Sequence, residues 1–209
     1  MSETHQVREH PILFSGAMVH SVLGGTKTQT RRVVKPQPSS GVRASPFSPS
    51  GLEDGHGVAL RLPYVPGDRL WVRETFALED ANGDDVTRED PRTDTWRVHY
   101  RSGATYDVAP TRWRPSIFMA RWASRITLEV ISVRVQRVQD ISEDDARAEG
   151  VRALGGLLAG CYVAGDAVSG TDAVACFACL WDSLNAKRGY RWDANPWVLA
   201  VAFNQVTHA

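Results

Sequence analysis

The stretch Gly24-Gly25-Thr26-Lys27-Thr28-Gln29-Thr30-Arg31-Arg32 gathers an amine, several hydroxyls and two guanidinium groups directly after a glycine pair. A turn of this composition can present backbone N–H groups and fixed cations to an anion or to a polarised carbonyl oxygen. A solvated basic turn has the same composition, so the stretch by itself does not choose between the two. A second group lies in Trp71-Val72-Arg73-Glu74-Thr75-Phe76. Adjacent strand residues face opposite sides, so one of Arg73 and Glu74 can point inward. There a buried carboxylate could hold the Lys27 amine or accept hydrogen bonds from a base edge; a structural salt bridge is the competing role. Trp71, Trp113, Trp122 and Trp197 offer faces on which a base can stack, and each taken singly suits core packing as well.

Other chemistries lose their usual signatures. The chain has no G-x-G-x-x-G, no Walker loop and no G-x-S-x-G elbow. Cys161, Cys176 and Cys179 cannot all pair, and the Cys176-Phe177-Ala178-Cys179 spacing sits inside an apolar helical pattern, which reads as buried thiols. His5, His10, His20, His56, His99 and His208 are scattered without the close spacing of a zinc site, so neither a metal nor a cofactor is expected.

The elements that must position these groups follow from hydrophobic spacing. Pro11 to Phe14 reads as a short strand and Ala17 to Leu23 as a helix stopped by Gly24-Gly25, after which 26–34 runs from a turn into an extended segment. Residues 36–57, rich in Pro, Ser and Gly, read as a surface loop. Gly67-Asp68 marks a turn before a strand over 69–78, an acidic loop over 79–94, a short strand over 96–100 and an irregular segment over 113–124. Along 125–138, Ile126, Leu128 and Val130 alternate before Val133 and Val135 take up the opposite phase, a slip that implies a bulge or bend. Ser142 caps a short acidic helix ended by Gly150; 153–170 reads as a loop, 172–185 as an amphipathic helix and 197–206 as a closing strand. Strands dominate, with three helices between them, so a small mixed barrel or bent sheet fits better than a doubly wound parallel sheet.

Composition sets the outer limits. With 209 residues, 43% hydrophobic and 23% charged, the chain can bury a substantial core, and a single folded domain is the simplest expectation. No apolar run reaches the roughly 20 residues that span a bilayer, and the first residues lack a secretory signal pattern, so a cytoplasmic location without membrane contact is expected. The 24 basic and 24 acidic residues cancel, and since only Lys27, Lys35 and Lys187 are lysines, 21 of the 24 are arginines. Their distribution is uneven. Residues 96–126 hold six arginines against Asp107 alone, while 79–94 hold seven acids against Arg88 and Arg92. The basic block could serve a nucleic acid, or the two blocks could pair across the surface.

The order of three features resembles an ASCH domain: the helix running into Gly24 to Arg31, the Pro66-Gly67-Asp68-Arg69-Leu70-Trp71-Val72 stretch, and the Asp140-to-Gly150 helix after a long strand. With 197–203 as last strand, the resemblance spans most of the chain. It implies an α+β fold, a PUA-like mixed β-barrel with flanking short helices. Compact ASCH domains are about half this length, so 36–60, 79–115 and 152–171 look like long loop insertions in a single domain. The family is linked to RNA and nucleotide binding, and one compact branch hydrolyses 4-acetylcytidine with a Lys-x-x-Thr pair and a later glutamate. Lys27 and Thr30 match the pair and Glu149 the glutamate. The resemblance thus implies a catalytic group of Lys27, Thr30 and Glu149, in which Thr30 attacks the acyl carbonyl, a neutral Lys27 takes its proton and Glu149 passes one to the leaving nitrogen. Glu149 is otherwise one of several acids on a solvated helix. Arg31, Arg73, Glu74, Trp71 and Trp122 would surround the substrate, although the compact branch lacks the Arg73-Glu74 pair in this form. The implied partner is a nucleoside or modified nucleobase. The alternatives are a non-catalytic reader of RNA or modified single-stranded DNA using the 96–126 arginines, a metal-independent ribonuclease, or an interaction module without a small ligand. The sequence does not fix the oligomeric state.

Overall fold

The computed structural model describes residues 6–48, 50–86, 95–102, 110, 112–153, 162–164, 167–169 and 172–206. The fold is α+β, with a core made mostly of sheet and few, short helices. Five strands form the principal sheet: β1 (Glu9–Leu13), β2 (Gln29–Val33), β5 (Arg69–Arg73), β8 (Thr127–Arg137) and β12 (Trp197–Val206), in the order β1-β5-β8-β12-β2. Only the β1–β5 pair is parallel; β5–β8, β8–β12 and β12–β2 are antiparallel. β2 therefore lies at an edge, paired on one side alone, with Thr30 opposite Val201. The strand is held there by burial of Gln29, Thr30 and Arg31.

Between β1 and β2 the helix α1 (Gly16–Leu23) starts at Ser15, whose hydroxyl accepts from the Met18 N–H, and buries Val19 and Val22 in the main core. Gly25, at φ 70°, turns the chain out of it in the left-handed region that glycine enters freely. β8 carries the expected irregularity: Ala202 pairs with Ser132 and Phe203 with Val130, which leaves Ile131 as a bulge residue, 48% exposed. The bulge lets Leu128 and Val130 on one side of it and Val133 and Val135 on the other all pack on one core.

Three expectations are corrected. The strand over 69–78 is two strands: β5 stays in the principal sheet, and β6 (Phe76–Glu79) pairs instead with β7 (Arg97–Tyr100). The chain switches sheets at Glu74, which is buried and held by both nitrogens of the Arg125 fork at 2.9 and 3.0 Å. The loop over 36–57 contains a hairpin, β3 (Val42–Ala44) with β4 (Leu52–Asp54), closed by the Ser45 N–H donating to the Gly51 carbonyl. The loop over 153–170 contains β9 (Arg152–Ala153), β10 (Tyr162–Ala164) and β11 (Ala167–Ser169), a small sheet of order β11-β10-β9. Backbone pairing needs no apolar alternation, so Gly- and Ala-rich strands leave little trace in hydropathy. Half of the acidic loop, 87–94, lies outside the described residues, as do His5, His208 and Cys161.

The helices α2 (Glu143–Ala148) and α3 (Ala173–Asn185) start at Ser142 and Asp172, whose side chains accept from the N–H groups of Asp145 and Ala175. They share a second core in which Ala146, Cys176, Phe177 and Trp181 pack with Val138 and Val198. No helix among the described residues is long and apolar enough to cross a membrane.

Candidate functional site

Residues 26–28 connect α1 to β2 and are gripped from both sides. The N–H groups of Thr26 and Lys27 donate to the Ser21 carbonyl, the Thr28 N–H donates to the Ala148 carbonyl, and the Phe203 N–H donates to the Thr28 carbonyl. Lys27 also forms a backbone bridge with Glu149 at the end of α2. Gly150 follows at φ 99°, with Ser21 about the point where its Cβ would stand, at 3.3 Å. The two helix ends thus meet over Lys27.

The Lys27 side chain is wholly buried, and its ammonium donates to the Gln29 carbonyl at 2.8 Å, the Glu149 carbonyl at 2.9 Å and the Glu149 carboxylate at 2.7 Å. An ammonium has three donors, so all are engaged. The other Glu149 oxygen accepts from Arg31 at 3.1 Å; the second terminal nitrogen of Arg31 donates to Asp145 at 2.7 Å, and Asp145 also accepts from Gln29 and Arg134. Burial pushes the Lys27 amine below its ordinary range, the Glu149 carboxylate pulls it back up, and Arg32 and Arg31 push it down again. Burial raises the Asp145 carboxyl, but its bond from Gln29 and the Arg31 and Arg134 guanidiniums outweigh this and hold it below the ordinary range. Among the buried polar atoms, Arg31 Nε has no hydrogen-bond partner.

This network forms one end of a cavity of about 460 Å³. Thr30, Arg31 and Arg32 of the edge strand make its floor, with Glu149 beside them. One wall is Leu13, Phe14, Ser15 and Met18, where β1 passes into α1. The other is the stripe Phe177, Leu180, Trp181 and Leu184 of α3, spaced as one helix face. Lys35, Arg188 and Tyr190 stand at the rim. Among the described residues, the Thr30 hydroxyl makes no hydrogen bond.

The structure brings Lys27, Thr30, Glu149 and Arg31 to this place, although Lys27 lies behind the lining, beneath the Phe14 ring at 5.7 Å. The other four expected residues are elsewhere. Glu74 is buried against Arg125 and lines neither this cavity nor the one beside it. Arg73 lies over the Trp71 ring at 4.6 Å and donates to the Ile117 carbonyl. Trp122 is 39% exposed and stands 6.0 Å from Trp96. Trp71 and Arg73 lie on β5, which β8 and β12 separate from the edge strand, and after Glu74 the chain passes into β6 of another sheet. Sequence reasoning missed the α3 stripe, Phe14, Lys35, Arg188 and Tyr190. The stripe had its helical spacing as a signal, but nothing in the pattern indicated which edge it would cover.

Four of the six arginines of the basic block are paired with acids, and Arg97 and Arg101 make no ion pair among the described residues. Arg114 and Arg112 pair with Asp85 of the acidic block, Arg121 with Glu9 and Arg125 with Glu74. Searches of family models, curated proteins and solved structures find no match to this chain.

Proposed function

We propose that the chain is an ASCH-like protein of the PUA-like superfamily. In this reading the cavity over β2 binds a modified cytidine and hydrolyses an acyl group from its exocyclic amine. The observation that carries the reading is the buried Lys27–Glu149 pair at the end of a cavity that also exposes an unbonded Thr30 hydroxyl. Phe14, Phe177 and Trp181 supply apolar faces suited to a base. The reaction needs Lys27 to pass a proton to Glu149 across their 2.7 Å hydrogen bond, which burial of the amine favours. The freed amine takes the Thr30 proton as Oγ attacks the acyl carbon, and protonated Glu149 returns a proton to the departing nitrogen. Water then releases the acyl group from Thr30 as a carboxylic acid. Lys27 must break one of its three hydrogen bonds for this step, and that requirement favours a second reading in which the cavity binds the nucleoside without turnover.

The test is chromatographic turnover of a panel of 4-acylated cytidines by the wild type, Lys27→Ala and Thr30→Ala. Cleavage by the wild type with loss in both variants is expected. Full turnover in both variants overturns the catalytic assignment, and binding without cleavage by the folded wild type leaves the second reading.

A further inference from the structure

Several cations among the described residues make no ion pair, and three of them share one cavity. Arg32, Lys35 and Arg188 line one cavity and make no ion pair among the described residues. Arg32 is held in place by donating to the Leu13 carbonyl at 2.7 Å and by lying 5.5 Å over the Phe14 ring, which leaves the rest of its guanidinium fork unused. Lys35 lies 5.6 Å over the Tyr190 ring. Burial holds the Arg32 guanidinium below its ordinary range; Tyr64 and Glu149 pull it back up, and Arg188 pushes it down again. Positioned like charges of this kind cost free energy until an anion arrives between them.

We infer that Arg32, Lys35 and Arg188 form a seat for a phosphate group at the mouth of the cavity, so that the ligand is a phosphorylated nucleoside. The inference rests on the nucleoside reading of the cavity for its base, and on the cations alone for its phosphate. A phosphate monoester carries about −1.5 to −2 charge at neutral pH, which three cations match better than a carboxylate would. The guanidinium fork suits two of its oxygens and the ammonium a third. The adjoining cavity shares Arg32 and Lys35, adds Arg8 and Arg61, and has no acidic residue in its lining. The phosphate can therefore come from a free nucleotide or from a strand whose next phosphate reaches Arg8 and Arg61.

The experiment is calorimetric titration of the whole chain at low salt with cytidine, ribose 5-phosphate, cytidine 5′-monophosphate and a short cytidylate strand without terminal phosphate. The wild type is compared with Lys35→Ala/Arg188→Ala, whose two sites are exposed, with melting temperature as the check on folding. The monophosphate is expected to bind about tenfold or more tighter than cytidine, an advantage that shrinks with salt and collapses in the double variant. Equal affinity for nucleotide and nucleoside, or a preference that survives the double variant, overturns the inference. Ribose 5-phosphate binding that the double variant abolishes, without cytidine binding, supports the seat and removes the nucleoside reading. Cytidine binding without any response to ribose 5-phosphate or to the monophosphate's extra charge does the reverse. If the strand outbinds the monophosphate and loses that margin in Arg8→Ala/Arg61→Ala, the phosphate comes from a strand; if not, from a free nucleotide.

Discussion

Replacing Glu149 with Gln tests the electrostatics of the site apart from any reaction. The change keeps the shape of the side chain but removes, among the described residues, the only carboxylate within ion-pair distance of Lys27 and one of two on Arg31. Lys27 and Glu149 expose 0% and 4% of their side chains, so solvent screening gives little relief. Breaking a buried pair from one side costs about 3–5 kcal/mol. Arg31 keeps Asp145, and Lys27 keeps its two carbonyls, so a loss of about 3 kcal/mol is the expected figure. The deficit has a pH signature. In the wild type, burial lowers the Lys27 amine and Glu149 opposes that fall; in the variant the opposition is gone and the folded value drops further below the unfolded one, near 10.5. A lysine depressed by folding binds more protons in the unfolded chain, so stability rises with pH between the folded and unfolded values. Urea unfolding of Glu149→Gln from pH 7 to pH 10 is therefore expected to show a deficit that narrows as pH rises. Adding Lys27→Met to the variant should recover part of the loss, since the uncompensated charge goes with it. A variant within about 1 kcal/mol of wild type at pH 7, or a deficit that stays constant with pH, would refute this account of the pair.

Gly150→Ala should destabilise the chain by about 1–2 kcal/mol, because alanine must adopt φ 99° with the Ser21 side chain 3.3 Å from its Cβ; chemical denaturation checks it. Asp145 is held below the ordinary carboxyl range, so its contribution is present above pH 3.8 and is lost as pH falls through the lower folded value. Acid titration of Asp145→Asn should accordingly show a shallower loss of stability below that pH than the wild type. Replacing Arg112, Arg114 and Arg121 together with Ala should leave nucleotide affinity within about twofold, because each is already paired with an acid and surface pairs carry little energy; loss of binding measured by titration would return the nucleic-acid surface to that segment.

Elements with strong local spacing were legible in the sequence. Ser142 as a cap, the Val130-to-Val133 phase slip that became the Ile131 bulge, and the strand over 197–206 all follow from neighbours in sequence. The association of Lys27, Thr30 and Glu149 was reached through resemblance, since spacing alone cannot join residues separated by the length of most of the sheet. Glu74 shows the limit. The polar run Arg73-Glu74-Thr75 interrupts the alternation of its strand, but the distant partner that holds Glu74 there, Arg125, is one that periodicity does not register. The free cations were equally hidden, because which arginines remain unpaired depends on which acids the fold brings near. Sequence charge pointed to 96–126, where Arg112, Arg114, Arg121 and Arg125 are paired; Arg32, Lys35 and Arg188 are unpaired among the described residues and share one cavity.

The edge position of β2 also bears on how the protein is made. Its strand partner is β12 alone, and the Thr28 carbonyl is met by Phe203, so the floor of the cavity is paired only with residues synthesised long after it. During translation Gln29 to Val33 must wait, with their charged side chains lacking both Glu149 and a neighbouring strand, until almost all of the sheet has emerged. Contacts of such long sequence separation form late and slowly. Whatever the cavity binds thus cannot engage a nascent or truncated chain, and occupancy reports completed folding.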